Sequence, residues 1–349
     1  MSTLDVLPNE LLQDIILRCT KWDRINIAPA DRCLGGNARI ADKTLHLYPD
    51  EETISAALHV LSSFSSHVAD SIQILELSWD AERSSRDLRP RVEHARAKDT
   101  TDQHREPLNL CGELTHLFKQ CRNINRLIVE GASPRPVLNR APAPLQTIYD
   151  SIREENKKRE EQAAALLPEI VRAAKEGSAE ITSLVLTRVQ VHKLVVKEDW
   201  EAQLKASCGK LQKLEVQSFQ SGSASARFLK RLTSFSSIQS LRISGPSGLD
   251  NPVPFPYPGR CLGATGVKQI FLTGFSIAME ELKDFLSNFR TLDSVVLQDI
   301  GAVYGRENGH DYRDLISHLE DGGTARVSRE QGSSGCNGKY TIARTSGGI

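Results

Sequence analysis

One short apolar pattern recurs along this chain and constrains its fold more than any other feature. The pattern is apolar-x-x-apolar-x-apolar, and successive occurrences start 52, 57, 30, 27, 29 and 25 residues apart. A single such triplet arises easily by chance, so the segments between the triplets decide what the repetition means. The seven occurrences are Ile72-Leu75-Leu77, Ile124-Leu127-Val129, Ile181-Leu184-Leu186, Leu211-Leu214-Val216, Ile238-Leu241-Ile243, Val267-Ile270-Leu272 and Leu292-Val295-Leu297.

Several of the intervening segments carry apolar residues at the spacing of a one-sided helix. A short strand that alternates with a helix every ~20–29 residues is typical of leucine-rich repeats. The sequence therefore predicts an α/β fold, a leucine-rich-repeat-like solenoid with parallel strands. The helical segments are Ile54-Leu58-Leu61-Phe64-Val68, Leu110-Leu114-Leu117-Cys121, Trp200-Leu204-Cys208, Phe228-Leu229-Leu232-Phe235, Leu282-Phe285-Leu286-Phe289 and Tyr312-Leu315-Ile316-Leu319.

A doubly wound α/β domain also alternates strands and helices, and it is the alternative fold. No glycine-rich phosphate loop follows the first strand, which favours the repeat fold. The repeats are irregular, because the Asn or Cys expected two residues after the third apolar position is missing. The residues near that position are Asp80, Ala132, Val189, Phe219, Pro246, Phe275 and Ile300.

The long intervals indicate insertions within a repeat domain that we assign to residues 49–320. Residues 80–107 are dense in charge, 132–144 carry four prolines and 245–263 carry five, so we predict insertions there. Ile148 to Ala174 is predicted to be helical. The Gly- and Ser-rich residues 321–349 are predicted to be disordered, with a capping strand at Tyr340-Thr341-Ile342 as the alternative.

Composition excludes several classes of function. The 44 Lys and Arg residues balance 44 Asp and Glu residues, which argues against nucleic acid or an acidic membrane surface as the partner. No apolar run approaches the roughly 18 residues of a membrane span, and the N-terminus lacks a secretory signal pattern. The seven cysteines are widely spaced without a CxxC pair, so we expect thiols in the cytoplasm or nucleus.

The sequence shows no recognisable arrangement of catalytic residues. The nine histidines show no HExxH or other metal-ligand spacing, and Gly259, Gly263 and Gly266 do not form a phosphate loop. Arg83 to Lys98 is locally basic but lacks the interleaved aromatics of a nucleic-acid-binding tract. We therefore expect no catalytic residue, no metal and no cofactor. A divergent α/β enzyme, with a site built from residues distant in sequence, is the alternative from another class.

The N-terminus carries a second pattern, distinct from the repeats. Pro8 suits a first helical turn, and the residues that follow make a broad apolar face that needs a partner. The purely structural interpretation is a helix that caps the first repeat. The stretch Leu7-Pro8-Asn9-Glu10-Leu11-Leu12-Gln13-Asp14-Ile15-Ile16 resembles the first helix of an F-box, with Ile16 in place of the final Leu.

The resemblance extends over about residues 4–48. Asp23 to Ala28 and Asp31 to Leu34 match the following F-box stretches, a Leu45-His46-Leu47 strand comes next, and Arg24, Pro29 and Ala30 depart from the pattern. The whole chain is similar to fungal-type F-box proteins with irregular C-terminal leucine-rich repeats.

The resemblance implies a non-catalytic substrate-receptor subunit of a Skp–cullin–F-box ubiquitin ligase. Its partners would be a Skp-type adaptor, through it a cullin, and a protein substrate. The alternative is a repeat scaffold whose F-box has decayed and which has no ligase role. The residues that would contact the adaptor are Leu7, Pro8, Leu11, Leu12, Ile15 and Ile16.

The strand pattern also predicts a substrate face. Because strand side chains alternate between faces, the residue between the last two apolar positions of each triplet is expected on the concave side, away from the core. These residues are apolar at four positions, with polar residues around them, as in protein-binding patches. The substrate-face candidates are Glu76, Ile128, Val185, Glu215, Arg242, Phe271 and Val296.

Overall fold

The fold is taken from a computed structural model, whose described residues fall into two compact units. Unit 1 comprises Met1–Ile128 and Glu169–Ile181, and unit 2 comprises Val129–Pro168 and Thr182–Ile349. The structure describes residues 43–63, 66–79, 110–131, 143–191, 200–207, 209–219, 222–232, 235–246, 253–259, 266–289, 291–298, 300–302, 326–330 and 339–343.

Each of the seven apolar triplets contributes a strand, as predicted. The second and third apolar residues of every triplet lie within a strand, and all of them are at most 3% exposed. The strands are β1 Thr44–Leu47, β2 Ile74–Ser78, β3 Arg126–Glu130, β4 Ser183–Thr187, β5 Lys213–Gln217, β6 Ser240–Ser244, β7 Val253–Pro254, β8 Gln269–Thr273, β9 Phe275–Ile277, β10 Ser294–Gln298, β11 Gly301–Ala302, β12 Arg326–Glu330 and β13 Lys339–Ala343.

Helices occupy most of the segments where helical spacing predicted them. Asp50 begins the first helix, because its Oδ1 accepts the Thr53 N–H at 2.6 Å. Asn288 ends the last one by donating its side-chain amide to the Asp284 carbonyl at 2.8 Å. The helices are α1 Glu51–Ser63, α2 Ser66–Ser71, α3 Leu110–Gln120, α4 Ala143–Glu176, α5 Trp200–Ser207, α6 Ser223–Leu232 and α7 Met279–Ser287.

Unit 1 is a small α/β layer built on β1, β2 and the start of β3. β1 and β2 run parallel, with Leu45 opposite Leu75 and Leu47 opposite Leu77. Helices α1 and α3 pack against each other, and the core-facing side chains of both are buried. Gly177 comes directly after α4 and lies very close to α3. A Cβ added to it would be 2.4 Å from Cβ of Phe118.

Unit 2 contains the longer run of strands, in the order β4-β5-β6-β8-β10-β13-β12. The first five of these strands are parallel and share one register, so that corresponding residues of successive triplets lie side by side. β13 then pairs antiparallel with β10, and β12 pairs antiparallel with β13. These two strands lie in the segment 321–349 that the sequence predicted to be disordered, and β13 contains the alternative capping strand Tyr340-Thr341-Ile342.

Backbone hydrogen bonds repeat at the start of each strand. Two consecutive N–H groups donate to one carbonyl of the preceding repeat, as Gln212 and Lys213 do to Thr182 at 2.9 and 3.0 Å. The same arrangement occurs at six places within the two units. The accepting residues carry different side chains, so the arrangement does not depend on the side chain. The accepting residues are Lys43, Gln73, Thr182, Gln212, Gln239 and Lys268.

The ends of the strands are joined in a similar way. Just past each of five strands, one backbone N–H donates to the last carbonyl of the next strand; Gly131 donates to Thr187 at 2.9 Å in this manner. The residues after β4, β5 and β8 have positive φ: 52° at Arg188, 56° at Ser218 and 74° at Gly274. The next residues, Val189, Phe219 and Phe275, are buried and lie near the position where the typical repeat has Asn or Cys.

Helix α4 is longer than the predicted segment Ile148 to Ala174 and begins near the end of the predicted insertion 132–144. In unit 2 it lies against the ends of β3 and β4. Gln190 donates its side-chain amide to Oε2 of Glu160 at 3.2 Å, and a Cβ on Gly131 would lie 2.9 Å from Cα of Glu160. The helix is therefore attached to unit 2 through the turns that follow the strands.

The proline-rich insertion 245–263 contains ordered structure in its described part. β7 pairs parallel with β9, and β9 with β11, in a separate three-stranded sheet. Phe255 is 5% exposed and packs edge-on against Phe275 and Phe285, with ring centroids 5.3 and 5.2 Å apart. Tyr257 donates its hydroxyl to Oδ2 of Asp284 at 2.9 Å. These aromatic residues thus pack on their own unit.

The α/β class and the mostly parallel sheet are as predicted. The predicted insertion 80–107, the helix Tyr312 to Leu319 and nearly all of the F-box-like segment 4–48 lie outside the described residues. Within the described part of the chain, no helix is long and apolar enough to cross a membrane.

Candidate functional site

The candidate site is one row of side chains at the centres of five neighbouring strands in unit 2. Val185, Glu215, Arg242, Phe271 and Val296 are register partners along β4, β5, β6, β8 and β10. We call these five residues the mid-strand row. On either side of each one along its strand is a buried apolar residue, so the alternation of the strands turns the row away from the core.

Arg242 is the centre of the row and is held from two sides. Its Nε lies 3.3 Å from Oε1 of Glu215, and its guanidinium carbon lies 4.1 Å from the centroid of the Phe271 ring. The side chain of Arg242 is nevertheless 49% exposed, against 21% for Glu215. An exposed ion pair contributes at most ~1 kcal/mol and an exposed cation–π contact a similar amount. Their combined effect is to restrict where the guanidinium lies.

A chain of hydrogen bonds extends this arrangement to the neighbouring strands. Gln217 donates its amide to Oε1 of Glu215 at 2.7 Å, and Thr187 donates its hydroxyl to Oε1 of Gln217 at 3.3 Å. The carboxylate of Glu215 thereby receives one hydrogen bond from its own strand and one ion pair from β6. A linked set of side chains runs from β4 to β8.

Small polar residues flank the mid-strand row on both sides. They are half-buried or exposed, and nearly all of them are uncharged groups that can donate and accept hydrogen bonds. Lys213 is the one cation among them, on the strand that carries Glu215. The flanking residues are Ser183, Lys213, Ser240, Gln269 and Ser294 on one side, and Thr187, Gln217, Ser244, Thr273 and Gln298 on the other.

The two substrate-face candidates of unit 1 are placed differently. Glu76 lies opposite His46 in the register of β1 and β2, with its Oε2 3.0 Å from Nδ1 of His46. The Glu76 side chain is only 7% exposed. Ile128 is half-buried on β3.

Exposure limits which predicted residues are able to touch a partner. Val185 and Glu76 are 4% and 5% exposed, so neither is open for contact although both hold the predicted mid-strand position. Glu215, Arg242, Phe271 and Val296 are partly or well exposed. The predicted adaptor-binding residues Leu7, Pro8, Leu11, Leu12, Ile15 and Ile16 lie outside the described residues.

The sequence missed two features of this site. Lys213 was not singled out, although its place two residues before Glu215 puts it on the same side of β5. The pairing of His46 with Glu76 was also missed, since it depends on the register of β1 against β2. The mid-strand row itself could be predicted from the sequence, because the triplet pattern fixes which residues of each strand share a face.

Comparisons with known proteins leave the site to be interpreted from its own geometry. No model of a known protein family matches the chain. No curated protein shows significant sequence similarity to it. Among the described residues, no three His, Cys, Asp or Glu side chains are grouped so that they could hold a metal ion.

Proposed function

We propose that this chain is a non-catalytic receptor that binds a protein through the exposed part of the mid-strand row. The observation that carries the proposal is Arg242, held between Glu215 and Phe271 on an open strand face. Arginine and aromatic residues are enriched at protein-binding surfaces, and a restrained side chain loses less entropy when a partner binds. The polar groups around the row suit the rim of such a surface.

The finer assignment of the fold, a leucine-rich-repeat-like solenoid, belongs to the same proposal. It is supported by the strand starts, where the same pair of backbone hydrogen bonds recurs in successive repeats. Units of 25–30 residues separate the last five triplets, close to the ~20–29 of leucine-rich repeats. In such a solenoid the mid-strand row would lie on the concave side, which is where these proteins bind their partners.

The N-terminal motif supports a more specific role. Its resemblance to an F-box suggests that Leu7, Pro8, Leu11, Leu12, Ile15 and Ile16 dock on a Skp-type adaptor. The chain would then be the substrate-receptor subunit of a Skp–cullin–F-box ubiquitin ligase in the cytoplasm or nucleus. A buried aliphatic side chain contributes roughly 1.5–3 kcal/mol, so six such residues would suffice for a small helical interface.

Co-expression with a Skp-type adaptor tests the ligase role. We expect the full chain to co-purify with the adaptor in equimolar amounts, and the Leu11→Asp, Ile15→Asp double variant to lose it, because each Asp would bury a charge in the interface. Gln13→Asp is the control, since it adds one Asp at an unpatterned position of the same segment. Absence of binding by the folded wild type would contradict the proposal.

Pro29 is the observation that favours a second candidate function. It lies where the F-box pattern has a helix, and a proline in a helix interior costs about 3 kcal/mol. A repeat scaffold with a decayed F-box would bind its protein partner through the mid-strand row without any adaptor. The same co-expression distinguishes the two functions, because only the receptor retains the adaptor.

A further inference from the structure

Among the described residues, Arg242 is held by contacts with Glu215 and Phe271. Its Nε faces Glu215 and one face of its guanidinium covers the Phe271 ring. A guanidinium carries five N–H donors, and the edge formed by its two terminal nitrogens matches the two oxygens of a carboxylate. With half of the side chain exposed, this edge is the part of Arg242 best suited to a ligand.

The charge around Arg242 favours an anion over other partners. Lys213 is exposed on β5 and is the register partner of Ser240, two residues before Arg242 on the neighbouring strand. Neighbouring strands lie roughly 4.8 Å apart and residues two apart on one strand roughly 6.6 Å apart, so the two positions are roughly 8 Å from each other and both cations can act on one bound group. Glu215 is the only acidic residue in the mid-strand row and its flanking residues, and its carboxylate is already engaged by Arg242 and Gln217.

We propose that Arg242, assisted by Lys213, recognises the side-chain carboxylate of an Asp or Glu in a partner protein. Ser240 and Ser244 lie beside Arg242 on β6 and offer hydroxyl donors to the same group. The bound segment carries an acidic residue at one fixed position, and its remaining residues contact the uncharged polar groups of the face. This inference rests on the proposed function, because it names the class of segment that the mid-strand row binds.

Peptide selection with the full chain tests the inference. A phage library of random 12-residue peptides is selected on the wild type, and the strongest binder is then synthesised with Glu, Gln or phosphoserine at its enriched position. We expect Asp or Glu to be enriched at one position, and the Gln peptide to bind roughly 10- to 100-fold more weakly, as for a lost charged hydrogen bond. If the phosphoserine peptide binds tightly and the Glu peptide does not, the assignment to a carboxylate is wrong.

Variants locate the effect on the protein. Arg242→Gln should lose the preference for the acidic peptide, whereas Arg242→Lys should retain part of it, because it keeps the charge without the planar edge. Arg227→Gln is the control, since it removes an exposed cation from helix α6 instead of from a strand. If Arg242→Gln binds the acidic peptide as well as the wild type does, the inference is wrong.

The outcomes also separate this inference from the proposed function. Selected peptides without an acidic preference, whose binding is lost in Phe271→Ala, would overturn the role of Arg242 and leave a protein-binding face. If peptide binding is unaffected by each of Arg242→Gln, Phe271→Ala and Val296→Ala, both the inference and the proposed binding through the mid-strand row are wrong. Adaptor binding is measured independently of either result.

Discussion

At the scale of single residues, close backbone approach makes Gly131 a sensitive position of unit 2. A Cβ added there would lie 2.4 Å from the Arg188 carbonyl oxygen, and the atoms it meets belong to the backbone, which has little freedom to move. Gly131 is also a donor in the bonds that follow the strands. A side chain at this position would force the ends of β3 and β4 apart.

We expect Gly131→Ala to destabilise the protein by about 1–3 kcal/mol, the usual cost of an overpacked site. Chemical denaturation followed by circular dichroism measures it. Gly209→Ala is the control, because the nearest atom to its added Cβ is the Lys205 carbonyl oxygen at an ordinary 3.5 Å. Equal stability of the two variants would contradict the close approach.

Glu160 is a second sensitive residue, for electrostatic reasons. Burial raises the pKa of its carboxyl above the ordinary value of 4.5, and the hydrogen bond from Gln190 and the charge of Arg188 oppose that rise without cancelling it. The folded protein therefore binds this proton more tightly than the unfolded chain does. The ionised carboxylate costs stability, and the cost develops as pH rises from about 4.5 through the raised pKa.

We therefore expect Glu160→Gln to raise the melting temperature at neutral pH, because it removes the buried charge. The gain should shrink as the pH falls toward about 4.5, where the wild-type carboxyl is protonated as well. Thermal melts of both proteins between pH 4 and pH 8 measure the difference. Glu154→Gln, on the exposed side of α4, serves as the control; a gain that is constant with pH would refute the explanation.

At the scale of elements, the insertion at 253–259 is held by aromatic packing. Phe255 lies between Phe275 and Phe285, and Phe285 in turn packs on Phe289 at 5.1 Å between centroids. These rings come from a loop, a short strand and a helix. The burial of Phe255 therefore adds to the pairing of β7 with β9 in holding this segment to unit 2.

We expect Phe255→Ala to cost about 3 kcal/mol of stability, as for other buried phenylalanines, and to expose β7 to proteolysis. Tyr257→Phe, which only removes the exposed hydrogen bond to Asp284, should cost less than about 1 kcal/mol. Denaturation curves and limited proteolysis test both. A larger loss in Tyr257→Phe than in Phe255→Ala would show that the hydroxyl holds the insertion instead.

How far the elements could be predicted depends on whether their signal is local. The strands were predictable because residues such as Leu241 and Ile243 alternate with polar ones, and this pattern fixes both the strand and its phase. The strand β12 was not predicted, and β13 was predicted only as an alternative, because glycine and serine dominate their segment. The pairing of β13 with β10 and of β12 with β13 is a tertiary effect. The pairing of Arg242 with Glu215 was hidden for the same reason, since the two are 27 residues apart.

At the scale of the whole molecule, the chain passes between the two α/β units three times. Helix α4 belongs to both units, and the division falls after Pro168 inside it. Proline lacks the N–H that a helix interior requires, so this position forms one helix bond fewer than its neighbours. The N-terminal motif and the mid-strand row lie in different parts of the sequence, which lets the proposed adaptor binding and the proposed target binding be tested separately.

The bonds at the strand starts have a consequence for how such a chain changes over generations. They join backbone N–H and C=O groups, which every residue except proline supplies, so a duplicated 25–30-residue stretch would bring its own strand-start hydrogen bonds without matching side chains. Gene segments encoding one repeat can therefore be copied or deleted with the remaining strands still paired. The exposed residues between these hydrogen bonds are then free to diversify. A lineage can acquire a new binding specificity without having to evolve a new fold.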